Sequence, residues 1–368
     1  MMSFISSIGI AVPEYAFSQP AIASFMERAM QPGYTESRKL HAVFRASGID
    51  TRYSVLDDYG KQDNYSFYPN TENFEPFPST QHRAEAYRKH ALPLSVKAAE
   101  NCFAQSASVK PKDVTHLIQV SCTGMYAPGL DIDLIRHFYL SESIQRTCIN
   151  FMGCYAAFNA IKIADAICKS NHQAIVLIVC TELCTLHFQK EPIEDNLLAN
   201  ALFADGAAAL LVTSSPQSGW NLSPQAFHNG LAFNGKEHMA WNIGNHGFEM
   251  KLSTHIPNTI RTGIKKLTAE LLDSLQQNTA DIFSYAIHPG GKKILEAVEH
   301  ELSISREQNE PAYTVLKNYG NMSSVTILFV LHHVVQQLKS QDTEKLILSF
   351  AFGPGLTLES MLLKTHYQ

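Results

Sequence analysis

Nothing in this sequence is built for a bilayer or for a polyanion. Its longest apolar runs, such as residues 325–331, fall far short of a membrane span, so no membrane insertion is expected. Positive charge is not in excess: 29 Lys and Arg stand against 34 Asp and Glu, a net charge of -5. That balance argues against a nucleic-acid partner. The opening residues, MMSFISSIGIAVPEY, carry no basic segment ahead of their apolar stretch, so no secretory leader is expected. No short-period repeat and no low-complexity tract is visible. There is no GxGxxG fingerprint and no phosphate loop. A disulfide framework is also missing. The cysteines number seven, an odd count, and most sit in apolar contexts of a 368-residue chain. Reduced thiols in a cytoplasmic protein are the expectation.

What is present is ample material for a core, with 45% hydrophobic residues. Apolar strand patterns over 3–12, 115–122, 148–152, 174–180 and 207–212 alternate with helical patterns over 36–47, 82–106, 130–139 and 154–170. The run 174–180, AIVLIVC, is apolar throughout and predicts a strand buried on both faces. Residues 56–80 are polar and aromatic and read as a loop or arm over a surface. A second cycle follows. Strands are expected over 225–233, 282–287, 346–352 and 356–363, and helices over 256–276, 291–302 and 322–338. Two such cycles predict an α/β fold of duplicated layers with sheets between helices. The expected division is 1–215, carrying a candidate nucleophile, and 216–368.

That nucleophile is Cys154. A short apolar strand ends at Met152, Gly153 breaks it, and an alanine-rich helix follows. A cysteine there lies at the positive end of a helix dipole, which favours the thiolate. By itself Cys154 reads first as a small buried residue. His288 ends the apolar strand SYAI and precedes Pro289-Gly290-Gly291, where α/β proteins place sites. Asn321 precedes a helix and taken alone is a helix cap. The turn Gly353-Pro354-Gly355 taken alone is a tight turn between strands. Together Cys154, His288 and Asn321 form a Cys-His-Asn set in chain order. Cys and His make an activated nucleophile, and Asn and neutral His donate to a developing oxyanion. Papain-like proteases share this order, but their Cys lies in a C-G-[SA]-C-[WY] setting near the mature N-terminus. Cys154 instead follows Phe-Met-Gly inside an α/β repeat.

The motifs GCYAAFNAIKIA around Cys154, ALFADGAAA at 201–209, HPGG at 288–291, YGNMSS at 319–324 and FGPGL at 352–356 resemble, in the same order, those of the type III polyketide synthase (chalcone synthase-like) family, in its bacterial form. The resemblance covers nearly the whole chain. It implies a thiolase-like fold of duplicated αβαβα halves, a homodimer, and a buried site reached by a pantetheine tunnel. It implies acyl-CoA and malonyl-CoA as coenzyme A thioester substrates, no metal and no bound cofactor. Cys154 would carry the starter acyl group. His288 and Asn321 would hold malonyl-CoA as it loses carbon dioxide, and His288 would keep Cys154 ionised. Phe203 matches one aromatic gatekeeper, and the second falls on Met250, a looser gate. Trp241 falls on a cavity position that is Gly in plant relatives, and His187 on a cavity Thr. Thr123, Ser323, Gly353 and Pro354 complete the implied substrate-binding set. Ala351 replaces a Gly before the Phe-Gly-Pro-Gly turn. Of the residues that hold coenzyme A phosphates the placement leaves Lys39; two others fall on Ala42 and Ala46, with Arg45 and Arg52 as replacements, or an acyl carrier protein as donor. Two alternatives stay open: a ketoacyl-carrier-protein synthase III-like enzyme with a single condensation, and a non-catalytic thiolase-fold partner of another synthase.

Overall fold

Strand and helix alternate along the chain as the apolar patterning requires. The computed structural model describes residues 2–232, 238–253 and 256–368. The strands are β1 (Phe4–Ala11), β2 (Tyr15–Ser18), β3 (Thr51–Ser54), β4 (His116–Ser121), β5 (Gln145–Asn150), β6 (Ile175–Leu183), β7 (Asp205–Thr213), β8 (Trp220–Leu231), β9 (Met239–Gly244), β10 (Gly247–Leu252), β11 (Ile282–Ile287), β12 (Leu346–Gly353) and β13 (Thr357–Tyr367). The helices are α1 (Gln19–Met30), α2 (Tyr34–Ala46), α3 (Thr80–Gln105), α4 (Leu130–Phe138), α5 (Ala156–Ser170), α6 (Glu194–Leu202), α7 (Ile256–Asp273), α8 (Lys292–Leu302), α9 (Glu310–Tyr319) and α10 (Thr326–Gln337). Phe233, the expected end of β8, lies outside the described residues.

The duplication is written in strand order. The large sheet runs β11-β12-β13-β8-β1-β7-β6-β4-β5. In the first half β4 pairs parallel with β6, β6 antiparallel with β7, and β7 antiparallel with β1. In the second half β11 pairs parallel with β12, β12 antiparallel with β13, and β13 antiparallel with β8. The pattern β4-β6-β7-β1 thus recurs as β11-β12-β13-β8, and one pair, Ile5↔Leu222, joins them.

Helices fill three layers, each with its own apolar core. The middle layer holds α5 and α10, and their composition explains the placement. Ala156, Ala157, Ala160 and Ala164 of α5 are at most 1% exposed, as are Ile327, Leu328, Phe329, Val330 and Leu331 of α10. Small residues on one helix and an all-apolar turn on the other suit burial between sheets rather than on one face. Both helices begin at the site, so the middle layer aims two helix N-termini at it. Among the described residues no helix is long and apolar enough to cross a membrane.

Two expectations change. Residues 56–80 do form a connection without strands, but it is not a surface arm. Tyr59, Tyr65, Tyr68, Phe74 and Phe77 are buried, and four of them ring Phe25 of α1, with centroids 4.7 to 5.9 Å away. Burial of that much aromatic area outweighs the segment's polar content. Residues 239–252, assigned no element from sequence, form a separate two-stranded hairpin, β9–β10.

Candidate active site

The site forms where three chain turns meet. After β5 the chain turns sharply through Phe151 (φ 61°) and Gly153 (φ 80°), and Cys154 follows two residues before α5. Gly153 has a second reason to be glycine. A Cβ there would stand 2.1 Å from Cδ of Pro354, and a Cβ on Gly353 would stand 2.5 Å from the Tyr155 ring. The Gly353-Pro354 turn of the second half therefore packs directly on the nucleophile turn of the first. It is a wall of the site as well as a link between strands. Gly153→Ala is expected to cost about 3 kcal/mol or more, from positive φ and overlap together. Thermal denaturation checks this; a melting temperature equal to wild type would refute it.

His288 lies one residue beyond β11, its N–H donating to Phe350 O at 2.8 Å. The ring is 1% exposed, and neither Nδ1 nor Nε2 has a hydrogen-bond partner. Asn321 is held by its backbone: its N–H donates to Leu202 O, and its carbonyl accepts from Ala204 N–H, both at 2.9 Å. Its amide oxygen accepts from Ser323 N–H at 2.9 Å. That fixes the amide, so Nδ2 is left as a donor, with Gly290 O at 3.5 Å. Cys154 interacts with the side chains of Ser323 and Asn321. The structure thus brings Cys154, Asn321 and Ser323 together and places His288 on the adjoining turn without a bond to the thiol.

The charge states differ from expectation. Burial pushes the Cys154 thiol up to about 12, and the nearby Glu182 charge adds to it, against the pull of Ser323 and Asn321. Burial also pushes His288 down to about 3. The helix end does not lower the thiol, because desolvation of a 6%-exposed sulfur outweighs a partial dipole charge. At rest both groups are neutral.

Glu182, unnoticed in the sequence, lies behind this site. It is fully buried, and its carboxylate accepts from Cys122 N–H at 2.9 Å, Thr123 Oγ1–H at 2.8 Å and Ser324 Oγ–H at 2.5 Å. Burial raises its pKa against those bonds. It ties the loop after β4 to the start of α10, and its partners come from chain segments far apart. Thr123 Oγ also accepts from Leu183 N–H, so that hydroxyl is committed to the framework.

Two chambers adjoin. The reaction chamber, a narrow space beside the Cys154 turn, is lined by Cys122, Thr123, Gly153, Phe203, Ser323 and Pro354, with Cys184, Trp241 and Met250. A deeper chamber shares Cys184, Phe203, Trp241 and Met250 with it and continues to Ile22, Met26 and Phe188. Phe203 and Met250 therefore stand between chambers. Trp241 lines both chambers, anchored by its Nε1–H donating to Cys122 O at 2.7 Å. His187 does not add a titrating group: Nε2–H donates to Thr123 O at 2.7 Å, Nδ1 accepts from Phe248 N–H at 2.9 Å, and burial lowers it to about 3. Ala351 packs in the middle core and not in the chamber wall.

A third cavity, about 200 Å³, runs between α2 and α8. Val43, Ala46 and Ser47 line one side, Leu198 and Leu202 of α6 another, and Gly290, Gly291, Lys292 and Lys293 the third. It reaches the His288 turn. Lys39 and Arg45 are exposed on α2 but do not line it. Arg52 is not available: it is 2% exposed and donates to Gln19, Asn200 O and Phe203 O. The cations on the cavity wall are Lys292 and Lys293, at the start of α8.

A layered, duplicated α/β fold with Cys, His and Asn at its central turns defines a thiolase-like condensing enzyme. The comparisons give the family. Residues 2–216 match the N-terminal domain, and residues 226–366 the C-terminal domain, of the chalcone and stilbene synthases; the chain belongs to this family, whose general reaction is condensation with malonyl-CoA. It is 31% identical over 371 residues to "Alpha-pyrone synthesis polyketide synthase-like Pks18" of Mycobacterium tuberculosis, covering 98% of this chain and 91% of that protein. It is 30% identical to "Probable polyketide synthase 1" of Dictyostelium discoideum, again over 98% of this chain but only 11% of that much longer protein. The crystal structure of the C-terminal type III polyketide synthase domain of Steely1, a type I/III hybrid from Dictyostelium, superposes with a TM-score of 0.90 at 28% identity, covering 99% of each chain.

Proposed function

We propose that this chain loads an apolar acyl group from a thioester onto Cys154 and extends it with malonyl-CoA. The observation that carries the reading is the pair of unpartnered, buried His288 nitrogens beside the oriented Asn321 amide. Buried polar atoms without partners are rare; in the neutral ring one nitrogen is a donor that awaits an accepting ligand and the other an acceptor that can take a proton. Cys154 and His288 are neutral at rest. Moving one proton from thiol to imidazole creates two opposite charges, each stabilising the other in a site where neither is stable alone. The thiolate takes the starter acyl group and releases the thiol of the donor. Malonyl-CoA follows. Its carboxylate leaves as carbon dioxide, and the electron pair remains as a thioester enolate facing His288 and the Asn321 Nδ2–H. The enolate carbon attacks the acyl-Cys154 carbonyl. A carbon–carbon bond forms, the carbon–sulfur bond breaks, and the thiolate is regenerated.

The chambers support an apolar starter. Ile22, Met26, Phe188 and Phe248 line the deep one, and Trp241 keeps the reaction chamber small, which favours few extensions. The cavity between α2 and α8 suits the donor arm, with Lys292 and Lys293 at its wall for phosphates. Replacing both lysines with alanine is expected to raise KM for malonyl-CoA about tenfold with kcat retained; Lys39→Ala should move it less. Steady-state kinetics checks this, and a larger effect at Lys39 would contradict it. A homodimer fits the free edge of β5, which ends the sheet with Gln145, Arg146, Thr147 and Cys148 exposed.

A further inference from the structure

The β9–β10 hairpin pairs with no other strand. A two-stranded ribbon has little stability of its own and must be held by what it packs against. Yet it contributes to the walls of all three cavities. Its register sets Met250 opposite Trp241, and both line the reaction chamber and the deep chamber. Leu252 and Ser253, at the far end of β10, line the cavity between α2 and α8. The tip of the hairpin, Gly244-Asn245-His246-Gly247, rests on the first turn of α3, where one residue makes three bonds to it. The Thr80 hydroxyl donates to Gly244 O and accepts from Gly247 N–H at 2.9 Å. It thus bridges the last pair of the ladder, Gly244↔Gly247. The Thr80 N–H, one of the donors that a helix start leaves over, goes to Asn245 O at 2.9 Å.

The base under this contact is firm. Arg83, one turn further along α3, is fully buried and donates to Pro78 O at 2.9 Å and to Leu186 O. Tyr87, the next turn on, is also buried, and its hydroxyl donates to Ser121 Oγ at 2.8 Å, at the end of β4. The tip sits directly on Arg83: a Cβ on Gly247 would stand 2.8 Å from the Arg83 Cδ. Met250 and Trp241 lie three pairs from the Thr80 clamp, about 10 Å along the ribbon, so a tip that moves carries them with it. We infer that Thr80 is a positioning residue: it clamps the hairpin tip to α3 and so holds the wall that the hairpin gives to the acyl chambers and to the donor cavity. The inference rests on the condensing-enzyme reading above. Thr80 acts at a distance, since it lines none of the three cavities.

The test compares Thr80→Val with Thr80→Ser. Valine keeps the shape and the backbone bond to Asn245 but loses both hydroxyl bonds; serine keeps all three. Condensation is assayed with dodecanoyl-CoA as starter and malonyl-CoA as extender. For Thr80→Val, KM for the starter should rise about tenfold and KM for malonyl-CoA less, with kcat within about twofold of wild type. Thr80→Ser should stay near wild type. Unchanged KM values in Thr80→Val, a loss of kcat at unchanged KM, or a serine variant no nearer wild type than the valine one would overturn the clamp. A wild-type protein that neither loads nor condenses would instead overturn the catalytic reading. A second readout needs no turnover. The chain has two tryptophans, so in a Trp220→Phe background Trp241 reports alone. Adding Thr80→Val should raise the quenching of Trp241 by acrylamide about twofold or more, and adding Thr80→Ser should not; equal quenching in all three overturns the clamp. If Thr80→Val does not fold, hydrogen exchange of the wild type decides. Amides 244–248 should exchange as slowly as those of the first turns of α3; exchange about a hundredfold faster at the tip overturns the clamp.

Discussion

Cys154→Ala is expected to remove covalent acylation altogether and to lower condensation by about a thousandfold or more. The expectation follows from position. Three turns from both halves of the fold converge on this sulfur: the Gly153 turn, the Gly353-Pro354 turn packed against it, and the Asn321–Ser323 segment whose side chains reach it. Other thiols are near, and Cys122 and Cys184 line the adjoining chamber. They do not replace it. Cys122 Sγ accepts from Gly153 N–H at 2.9 Å, and burial raises the pKa of both thiols well above the ordinary range. The alanine fills the same buried position with little loss of volume, so the variant should fold and still decarboxylate malonyl-CoA. Retained acylation of Cys154→Ala would move the nucleophile elsewhere.

His288→Ala and Asn321→Ala form the second large expectation, and they should act on the other half-reaction. Each removes one donor to the enolate oxygen, a loss of about 10²- to 10³-fold in decarboxylation. Asn321→Asp is the more instructive change. The native amide oxygen is already taken by Ser323 N–H, so the new carboxylate would put an acceptor where Nδ2 now donates. It should be at least as damaging as alanine. His288→Ala should slow loading as well, because the proton of Cys154 loses its acceptor. Asn321→Ala should slow loading less. Single-turnover measurements of loading and decarboxylation separate the two; equal effects of both variants on both steps would refute the assignment.

Much of this was legible in the sequence, for physical reasons. Strands buried on both faces betray themselves by unbroken apolar runs, as 174–180 does, and a turn that must carry a side chain into a site shows its glycines. Cys154, His288 and Asn321 each follow or precede such a break. Three features were not legible. The role of Glu182 depends on donors from the loop after β4 and from α10, which meet only after folding. Arg52 reads as a surface cation, but its three acceptors come from α1 and the α6 region. His187 reads as a titratable cavity group until both nitrogens are seen to be bonded. The β9–β10 hairpin was open to reading: Met239, Trp241 and Ile243 alternate on one side of Gly244-Asn245-His246-Gly247, and Phe248, Met250 and Leu252 on the other.

Intact-protein mass spectrometry addresses the central claim most directly. Wild type and Cys154→Ala are incubated with acyl-CoAs from short aromatic to long-chain, then with malonyl-CoA. The expected result is an acyl adduct on wild type alone, strongest with long apolar chains, that disappears or grows by condensed units when malonyl-CoA is added. An adduct of equal yield on Cys154→Ala, or a loaded wild type indifferent to malonyl-CoA, would contradict it.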